Sequence, residues 1–162
     1  MQAKRKGKSG TGKTFKSRKE FYDRFKLKEK DGERIVSLSK QERRICAIRS
    51  DIKKKISSIP REAEFAGRLI GKDVRGRFSP SLSSIERAAS SDDARKVSLD
   101  RRSSWLFLCG RDIFSSSLKG GEPEKGYVFI MNENRENLGM GLFDGKMIIN
   151  ISDKGDFLRR EG

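Results

Sequence analysis

The chain has 162 residues, of which 38 % are charged and 33 % are apolar, and its 38 Lys and Arg outnumber its 23 Asp and Glu to give a net charge of +15. No stretch approaches the ~20 apolar residues of a membrane helix, and the basic first residues lack the apolar stretch of a secretory signal. The absence of histidine excludes histidine-dependent nucleophilic catalysis. The two cysteines, Cys46 and Cys109, are too far apart for a zinc site of cysteine pairs or a disulfide framework. We therefore expect a cytoplasmic protein that binds a polyanion and has no metal site or cofactor.

Positive charge is concentrated at the start of the sequence. Residues 1–60 hold 20 Lys and Arg against 7 Asp and Glu. Residues 1–19 hold 8 of these basic residues, no acidic residue and a single large apolar side chain, Phe15. A segment with so little apolar surface cannot offset the entropy of its ordering, so we predict a flexible, disordered basic tail at residues 1–19. Its candidate RNA-binding residues are Lys4, Arg5, Lys6, Lys8, Lys13, Lys16, Arg18 and Lys19.

Two explanations of such a tail remain open. A run of basic residues can serve solubility alone. It can also bind nucleic acid, because each Lys or Arg that contacts a phosphate releases condensed counterions. The 8 basic residues without a compensating acid favour nucleic acid.

Residues 7–14 match the P-loop pattern of nucleotide-binding proteins, with Gly7, Gly12, Lys13 and Thr14 at the required positions. A working P-loop follows a buried strand and opens a helix whose amides face the phosphates. The preceding residues, Met-Gln-Ala-Lys-Arg-Lys, cannot form a buried strand. We therefore interpret the match as a chance product of the Gly, Lys, Ser and Thr composition. An ATPase or GTPase remains an alternative, which loss of nucleotide binding in Lys13→Ala would support.

The next element is a short helix predicted within residues 16–30. Its spacing buries an aromatic face, although the same side chains can instead stack on bases. The side chains of this face are Phe21, Tyr22, Phe25 and Leu27. A short strand is predicted to follow over residues 34–38.

The clearest predicted helix covers residues 39–59. Ser39 opens it with a capping box, isoleucines recur at helical spacing between Ile45 and Ile59, and Pro60 ends it. The remaining face is nearly all positive, which favours contact with phosphates over an ordinary solvated surface. Its candidate RNA-binding residues are Arg43, Arg44, Arg49, Lys53, Lys54 and Lys55.

Shorter elements are predicted between residues 61 and 104. A strand lies around Leu69, and a turn at residues 75–78 leads into a second strand. A short helix over residues 81–89 and a strand over residues 96–99 follow.

From Trp105 the pattern changes to short strands and tight turns. The apolar residues 105–108 predict a strand, and residues 111–118 predict a short helix. The side chains that this helix would bury are Ile113, Phe114 and Leu118. Later elements are predicted at residues 127–131, 138–143 and 146–151 as strands and at Phe157 and Leu158 as a short final element. Short strands around one helix predict a small mixed barrel.

Small residues and strands follow one another in a distinctive order in this region. An apolar segment ends at Cys109-Gly110, a short helix and a Gly-Tyr-Val-Phe-Ile strand follow, and Leu-Gly-Met-Gly occupies residues 138–141. In this order residues 105–162 resemble the PUA domain, a pseudo-barrel RNA-binding unit of many RNA-modifying enzymes and ribosome-assembly proteins. More narrowly, residues 107–118 and 153–161 are similar to the C-terminal half of the archaeal and eukaryotic Nip-seven family of pre-large-subunit assembly factors.

The elements and the resemblance together predict an α+β fold. A small mixed pseudo-barrel, PUA-like, is preceded by a basic α/β region and the disordered basic tail. We place the tail at residues 1–19, the basic N-terminal region at 20–95 and the PUA-like RNA-binding domain at 96–162. The resemblance implies RNA binding along the glycine-bounded helix, at the neighbouring strand edge and at the basic chain end. The residues at these positions are Gly110, Arg111, Ser115, Lys119, Arg159 and Arg160.

No residue pattern supplies catalytic chemistry, so we expect a non-enzymatic protein. The leading hypothesis is an rRNA-binding protein, either a ribosome-associated component or a ribosome assembly factor, with the large subunit favoured. Its expected partners are ribosomal RNA and neighbouring ribosomal proteins or assembly factors, with no membrane and no small-molecule substrate. The alternative is an RNA-binding accessory subunit of a tRNA- or rRNA-modifying enzyme. A chromatin protein fits the charge alone, because phosphate contacts do not distinguish DNA from RNA.

Overall fold

The computed structural model describes residues 14–28, 32–37, 42–58, 67–156 and 159. In this part of the chain four α-helices accompany ten strands, which form two sheets. The helices are α1 (Arg18–Arg24), α2 (Ser50–Ser57), α3 (Leu82–Ala89) and α4 (Arg101–Leu108). The strands are β1 (Gly32–Ser37), β2 (Glu42–Ile48), β3 (Arg68–Val74), β4 (Arg77–Pro80), β5 (Lys96–Leu99), β6 (Ile113–Phe114), β7 (Leu118–Lys119), β8 (Gly126–Met131), β9 (Asn137–Phe143) and β10 (Met147–Asp153).

The first sheet is antiparallel and follows the chain in the order β1-β2-β3-β4. A tight turn joins β3 to β4, and its residues Arg75 and Gly76 have positive φ angles of 50° and 75°. Such left-handed turns match the twist of the strands they connect. Ser81 then caps α3, since its hydroxyl accepts a hydrogen bond from the Ser84 amide. The turn and the helix lie where the sequence predicts them.

The second sheet has six strands in the order β6-β10-β9-β8-β5-β7 and forms a nearly closed pseudo-barrel. β5 pairs with β8 in parallel, whereas its other pairings are antiparallel. Gly139 of β9 has a φ of 150°, and a Cβ added there would lie 2.1 Å from the carbonyl oxygen of Ser152 on β10. Only glycine allows that close approach of two backbones. The predicted mixed α+β fold with a small pseudo-barrel is confirmed.

One hydrophobic cluster joins the two sheets. Phe21 and Phe25 of α1 pack against Phe129 of β8, together with Ile70 and Phe78 of the first sheet. All five side chains are at most 6 % exposed. The aromatic face predicted for residues 16–30 therefore lies in the core. The sequence leaves two roles open for this face, burial and stacking on bases, and the structure shows burial.

Phe15 corrects the predicted extent of the flexible tail. Its side chain is 1 % exposed, and its backbone forms two hydrogen bonds with Phe78. The prediction failed at residues 14–19 because the partners that bury Phe15 are distant in sequence, so local composition does not reveal them. Residues 1–13 lie outside the described residues. They include Gly7, Gly12 and Lys13 of the P-loop match, so Thr14 is the one of its four required residues that the structure describes.

The long helix predicted over residues 39–59 is wrong. Glu42–Ile48 forms strand β2, and only Ser50–Ser57 is helical. Isoleucine suits both kinds of element, but β2 is an interior strand between β1 and β3. Its residues 45–48 are all buried, as expected for a strand covered on both faces. Ser39, Ile59 and Pro60 lie outside the described residues.

Two predictions after Leu99 are also wrong. Residues 105–108 belong to helix α4 instead of a strand, because Asp100 caps the helix and only Phe107 of these four is buried. Residues 111–118 form strand β6, a 3₁₀ turn at Ser115–Ser117 and strand β7 instead of a helix. Phe114 is 62 % exposed, contrary to its predicted burial. The strands predicted at residues 34–38, 96–99, 127–131, 138–143 and 146–151 are present within two residues of their predicted ends where described. Phe157 and Leu158 lie outside the described residues.

Replacing Phe15 by alanine tests whether this residue belongs to the folded core. We expect Phe15→Ala to lower the free energy of unfolding by about 3–5 kcal/mol, because a buried phenylalanine leaves a cavity when it is truncated. Denaturation in urea measures the change. Lys16→Ala, at the exposed neighbouring position, is the control and should stay within about 0.5 kcal/mol of the unaltered protein. Equal stability of the two variants would contradict the placement of Phe15.

Candidate nucleic-acid interface

Helix α4 is fixed by its N-terminal cap and by one buried face. The carboxylate of Asp100 accepts a hydrogen bond of 2.7 Å from the Ser103 amide, and the hydrogen bonds from Ser103 hold the pKa of Asp100 below its usual value of 3.8. Ser103, Ser104 and Phe107 are buried beneath the helix. The opposite face of α4 therefore points outward.

That outward face carries large apolar side chains. Trp105 is 62 % exposed and Leu106 is 41 % exposed. Phe114 on the adjacent strand β6 is 62 % exposed. We call these three residues the α4–β6 patch. Single exposed apolar residues are common on proteins, but a group of three that includes two aromatic rings indicates a binding surface.

Three arginines border the α4–β6 patch. Arg101 and Arg102 lie one helical turn before Trp105 and Leu106, on the same face of α4. Arg111 follows the helix, and its amide donates to the carbonyl of Leu106. All three side chains are exposed, and within the described residues none of them forms a salt bridge. Their guanidinium groups can therefore bind an external anion without first losing an internal partner.

The predicted site residues of the pseudo-barrel divide into two groups. Gly110, Arg111 and Ser115 lie between the end of α4 and the 3₁₀ turn, beside the α4–β6 patch. Lys119 lies on β7, where its ammonium group contacts the Glu133 carboxylate at 2.9 Å. The hydrogen bond to this carboxylate raises the pKa of Lys119. A phosphate that binds the ammonium group would have to compete with Glu133. Of these four residues, the structure thus brings Gly110, Arg111 and Ser115 together.

Arg159 is bound within the molecule. Its guanidinium group makes two hydrogen bonds to the Asp153 carboxylate, of 2.9 and 3.1 Å, and a third to the carbonyl of Leu108 at the end of α4. Asp156 lies 3.7 Å away, and the hydrogen bond to Asp153 raises the pKa of Arg159. Arg159 therefore connects Asp153 to the end of α4, and its contact with RNA stays a prediction. Arg160 lies outside the described residues.

The basic residues predicted on the long helix are spread over a strand and a short helix. Arg43 and Arg49 form salt bridges with Asp73 and Asp51, at 3.2 and 3.1 Å, and Arg44 is half-buried on β2. The exposed lysines of α2, which form no salt bridge within the described part of the chain, are Lys53, Lys54 and Lys55. These lysines make a second exposed, positively charged surface, on a helix that has no buried residue.

The predicted tail residues that the structure describes lie on or before α1. Lys19 pairs with Asp23 at 3.4 Å, and the Arg18 guanidinium lies 5.6 Å from the ring centre of Tyr22. Lys16 is exposed. The earlier predicted residues, Lys4, Arg5, Lys6, Lys8 and Lys13, lie outside the described residues.

Sequence reasoning missed Arg101, Arg102, Trp105 and Phe114 as candidate site residues. A continuous apolar run was assigned to a buried strand, which removed its exposed side chains from consideration. The signal that points to a helix is Asp100, five residues before Trp105, since aspartate is a favoured N-cap.

Two other kinds of binding feature concern metals and membranes. Among the described residues no group of three or more His, Cys, Asp or Glu is placed to hold a metal ion. The helices of the same residues do not combine the length and apolar character needed to cross a membrane.

Comparison with known proteins agrees with this architecture. Residues 95–162 match the family model described as the UPF0113 PUA domain. Residues 95–162 are therefore similar to the PUA domain, and we call them the PUA domain. The fold is similar to that of a conserved PUA domain protein from Thermoplasma acidophilum, with a TM-score of 0.56 and 13 % identity. The similarity covers 88 % of this chain and 92 % of that protein. It is also similar to 85 % of a hypothetical protein from Pyrococcus horikoshii, over 88 % of this chain, with a TM-score of 0.51 and 14 % identity. No curated protein matches the sequence.

The PUA domain is generally an RNA-binding fold. The α4–β6 patch and its arginines all lie within the matched residues 95–162. The patch is therefore part of the PUA domain, whereas α1, α2 and the first sheet precede it. The Nip-seven resemblance is a finer assignment than this match supports.

Removing the Arg159 side chain tests its structural role. Arg159→Leu leaves Asp153, whose side chain is 4 % exposed, without its cation, so we expect the free energy of unfolding to fall by about 2 kcal/mol. Urea denaturation measures the loss. Arg111→Leu is the matched control, because Arg111 is exposed and should change stability by less than about 0.5 kcal/mol. A double-mutant cycle with Asp153→Asn should show coupling; additive effects would argue against the pairing.

Proposed function

We propose that this chain is a non-enzymatic RNA-binding protein whose PUA domain binds RNA through the α4–β6 patch. The observation that carries the proposal is the combination of two exposed aromatic rings, Trp105 and Phe114, with three exposed arginines that form no salt bridge within the described residues. Nucleic-acid surfaces that bind single strands combine these two features.

The two features perform different tasks. A guanidinium group binds phosphate oxygens through a planar set of donors, and Arg101, Arg102 and Arg111 border the apolar surface on which bases can stack. Trp105 and Phe114 are each 62 % exposed, and base stacking on aromatic side chains contributes about 1–3 kcal/mol per base. Binding would also cover apolar surface that is otherwise exposed to water.

The remaining positive charge supports the same partner. The chain carries a net charge of +15, and Lys53, Lys54 and Lys55 form an exposed basic cluster on α2. Such charges attract a polyanion over a distance of about one Debye length, ~8 Å at physiological salt. They add affinity without sequence preference, whereas the α4–β6 patch can contact bases.

The finer role that we propose is ribosomal. Abundant basic residues before the PUA domain suit ribosomal RNA, whose crowded helices offer many phosphates to extended polycations. The resemblance of residues 107–118 and 153–161 to the Nip-seven family favours a large-subunit assembly factor or component. The partners would then be ribosomal RNA and neighbouring ribosomal or assembly proteins. An accessory subunit of an RNA-modifying enzyme is the second candidate, and the sedimentation experiment below separates the two.

Variants of the α4–β6 patch test RNA binding directly. We expect Trp105→Ala to weaken binding of a single-stranded RNA about tenfold, because one stacking contact is lost. We expect Arg111→Ala to weaken binding and to reduce the salt dependence of the affinity by about one phosphate contact. Fluorescence anisotropy at several salt concentrations measures both effects.

The matched control is Arg135→Ala, which removes an exposed arginine in the turn between β8 and β9. It changes net charge as much as Arg111→Ala does, so the difference between the two variants reports position and not charge. Melting temperatures should stay unchanged in all three variants, because the replaced side chains are exposed. Equal weakening by Arg111→Ala and Arg135→Ala would contradict a localised site.

Sedimentation of cell lysate on sucrose gradients tests the ribosomal role. We expect the protein to migrate with large-subunit particles at low salt. Migration with mature subunits that survives high salt identifies a ribosomal component, whereas migration with precursor particles or release by salt identifies an assembly factor. Absence from all ribosomal fractions would overturn the ribosomal role and favour the accessory subunit.

A further inference from the structure

A cavity of about 790 Å³ opens where the first sheet and α3 meet the PUA domain. We call it the junction cavity. Ser79, Pro80 and Leu82 line it from the first sheet and α3, and Cys109 and Ser152 line it from the PUA domain. Its volume lies within the range of about 300–1,000 Å³ that small organic ligands occupy.

Charged groups of the junction cavity are already paired. The Lys72 ammonium group contacts the Glu42 carboxylate at 3.1 Å. The Arg159 guanidinium group is held by Asp153 at 2.9 Å. A ligand phosphate or carboxylate that binds Lys72 or Arg159 would have to compete with Glu42 or Asp153 for that cation. The cavity therefore favours a ligand, or a part of one, that carries no net charge.

The other walls offer hydroxyl groups beside apolar surface. Ser79 and Ser152 are partly exposed, and their hydroxyls have no hydrogen-bond partner within the described residues. Pro80, Leu82 and Ile151 supply apolar contacts. A nucleoside matches both features, because its base has an apolar face and its ribose and base edges carry donors and acceptors.

The junction cavity and the α4–β6 patch are neighbours along the chain through three consecutive residues. Cys109 and Gly110 line the cavity, and Arg111 borders the patch. Gly110 has a φ of 77°, and an added Cβ would meet the Arg159 guanidinium carbon at 3.4 Å. Glycine at this position, with its positive φ and no side chain, lets the backbone pass close to the Arg159 guanidinium between the patch and the cavity.

We propose that the junction cavity receives one unpaired nucleoside of the RNA that the α4–β6 patch binds. This rests on the proposed function, because the patch holds the strand from which the nucleoside enters. The charged phosphates stay outside at Arg111, and the neutral nucleoside enters the cavity. A base that is paired in a duplex cannot enter, so the cavity selects RNA with an unpaired position.

Cys109 provides a reporter for occupation of the cavity. It is exposed, whereas the second cysteine, Cys46, is buried, so alkylation of the folded full chain by N-ethylmaleimide occurs at Cys109. We expect saturating single-stranded RNA to slow this alkylation about tenfold, the size of one base contact. A duplex of the same sequence, bound to the same saturation, should leave the rate unchanged. Anisotropy measures saturation for both RNAs.

The outcomes separate this proposal from the proposed function. Equal protection by both RNAs would overturn the nucleoside site, since backbone coverage alone would explain it, and binding without protection would overturn it as well. In both cases RNA binding by the PUA domain would stand. Failure of both RNAs to bind at physiological salt would overturn the proposed function, and the nucleoside site with it.

A cavity variant supplies an independent measurement. Ser152→Leu places a larger side chain in the cavity and should weaken binding of the single-stranded RNA about tenfold while leaving duplex binding unchanged. Ser57→Leu makes the same chemical change on the exposed helix α2 and should change neither. Circular dichroism verifies that both variants fold. Unchanged single-strand affinity in a folded Ser152→Leu protein would contradict the proposal.

Discussion

The contact between Phe15 and Tyr127 is the interaction on which the arrangement of the molecule depends. The two rings stack with centroids 4.8 Å apart, and Phe25 meets Phe129 edge to face at 5.1 Å. These contacts join the segment before α1 to β8, in the middle of the pseudo-barrel. Burial also raises the pKa of Tyr127, so its ring stays neutral beneath the Arg24 guanidinium, 5.1 Å from the ring centre. Close-packed interiors transmit such constraints rigidly, and the first sheet is therefore held against the PUA domain.

The candidate surfaces follow from that placement. Once the first sheet is fixed, β4 and the start of α3 face the residues that end α4, and the junction cavity lies between them. Arg159, which also lines the cavity, holds the same end of α4 through the carbonyl of Leu108. Anchored at its cap Asp100 and at its last carbonyls, α4 has a fixed outward face. The exposed aromatic rings and the cavity are therefore consequences of one packing arrangement and can act on the same strand.

Sequence reasoning succeeded where local signals and tertiary environment agree. The turn at Arg75-Gly76, the cap of α3 at Ser81 and the apolar strands β8 to β10 carry residue types typical of these structures, and each lies within two residues of its predicted position. It failed where one residue type suits two environments. Ile45 and Ile48 on β2 have helical spacing by coincidence. The strands that pair with β2 lie on other segments, which no periodicity within residues 39–59 reveals.

The candidate site failed to emerge from the sequence for a related reason. Apolar residues 105–108 indicate burial when only composition is considered, yet a short helix can bury Phe107 and expose Trp105, because the two residues are about 200° apart around its axis. Burial of Phe15 is the opposite case, in which a single apolar residue near lysines has partners on two distant strands, Phe78 on β4 and Tyr127 on β8. Both depend on contacts between segments, which a pattern along one segment does not contain.

Net charge identifies the class of partner but not the surface that binds it. Arg43, Arg49 and Arg159 contribute to the charge of +15 as much as Arg111 does, yet their guanidinium groups hold carboxylates of the same chain. An arginine already paired in the folded protein must exchange one anion for another, so its net gain from a phosphate is small. An arginine without a carboxylate partner, next to an exposed ring, gains both the charge interaction and the covered apolar area. The proposed site is therefore on α4 and β6, even though most of the basic residues lie elsewhere.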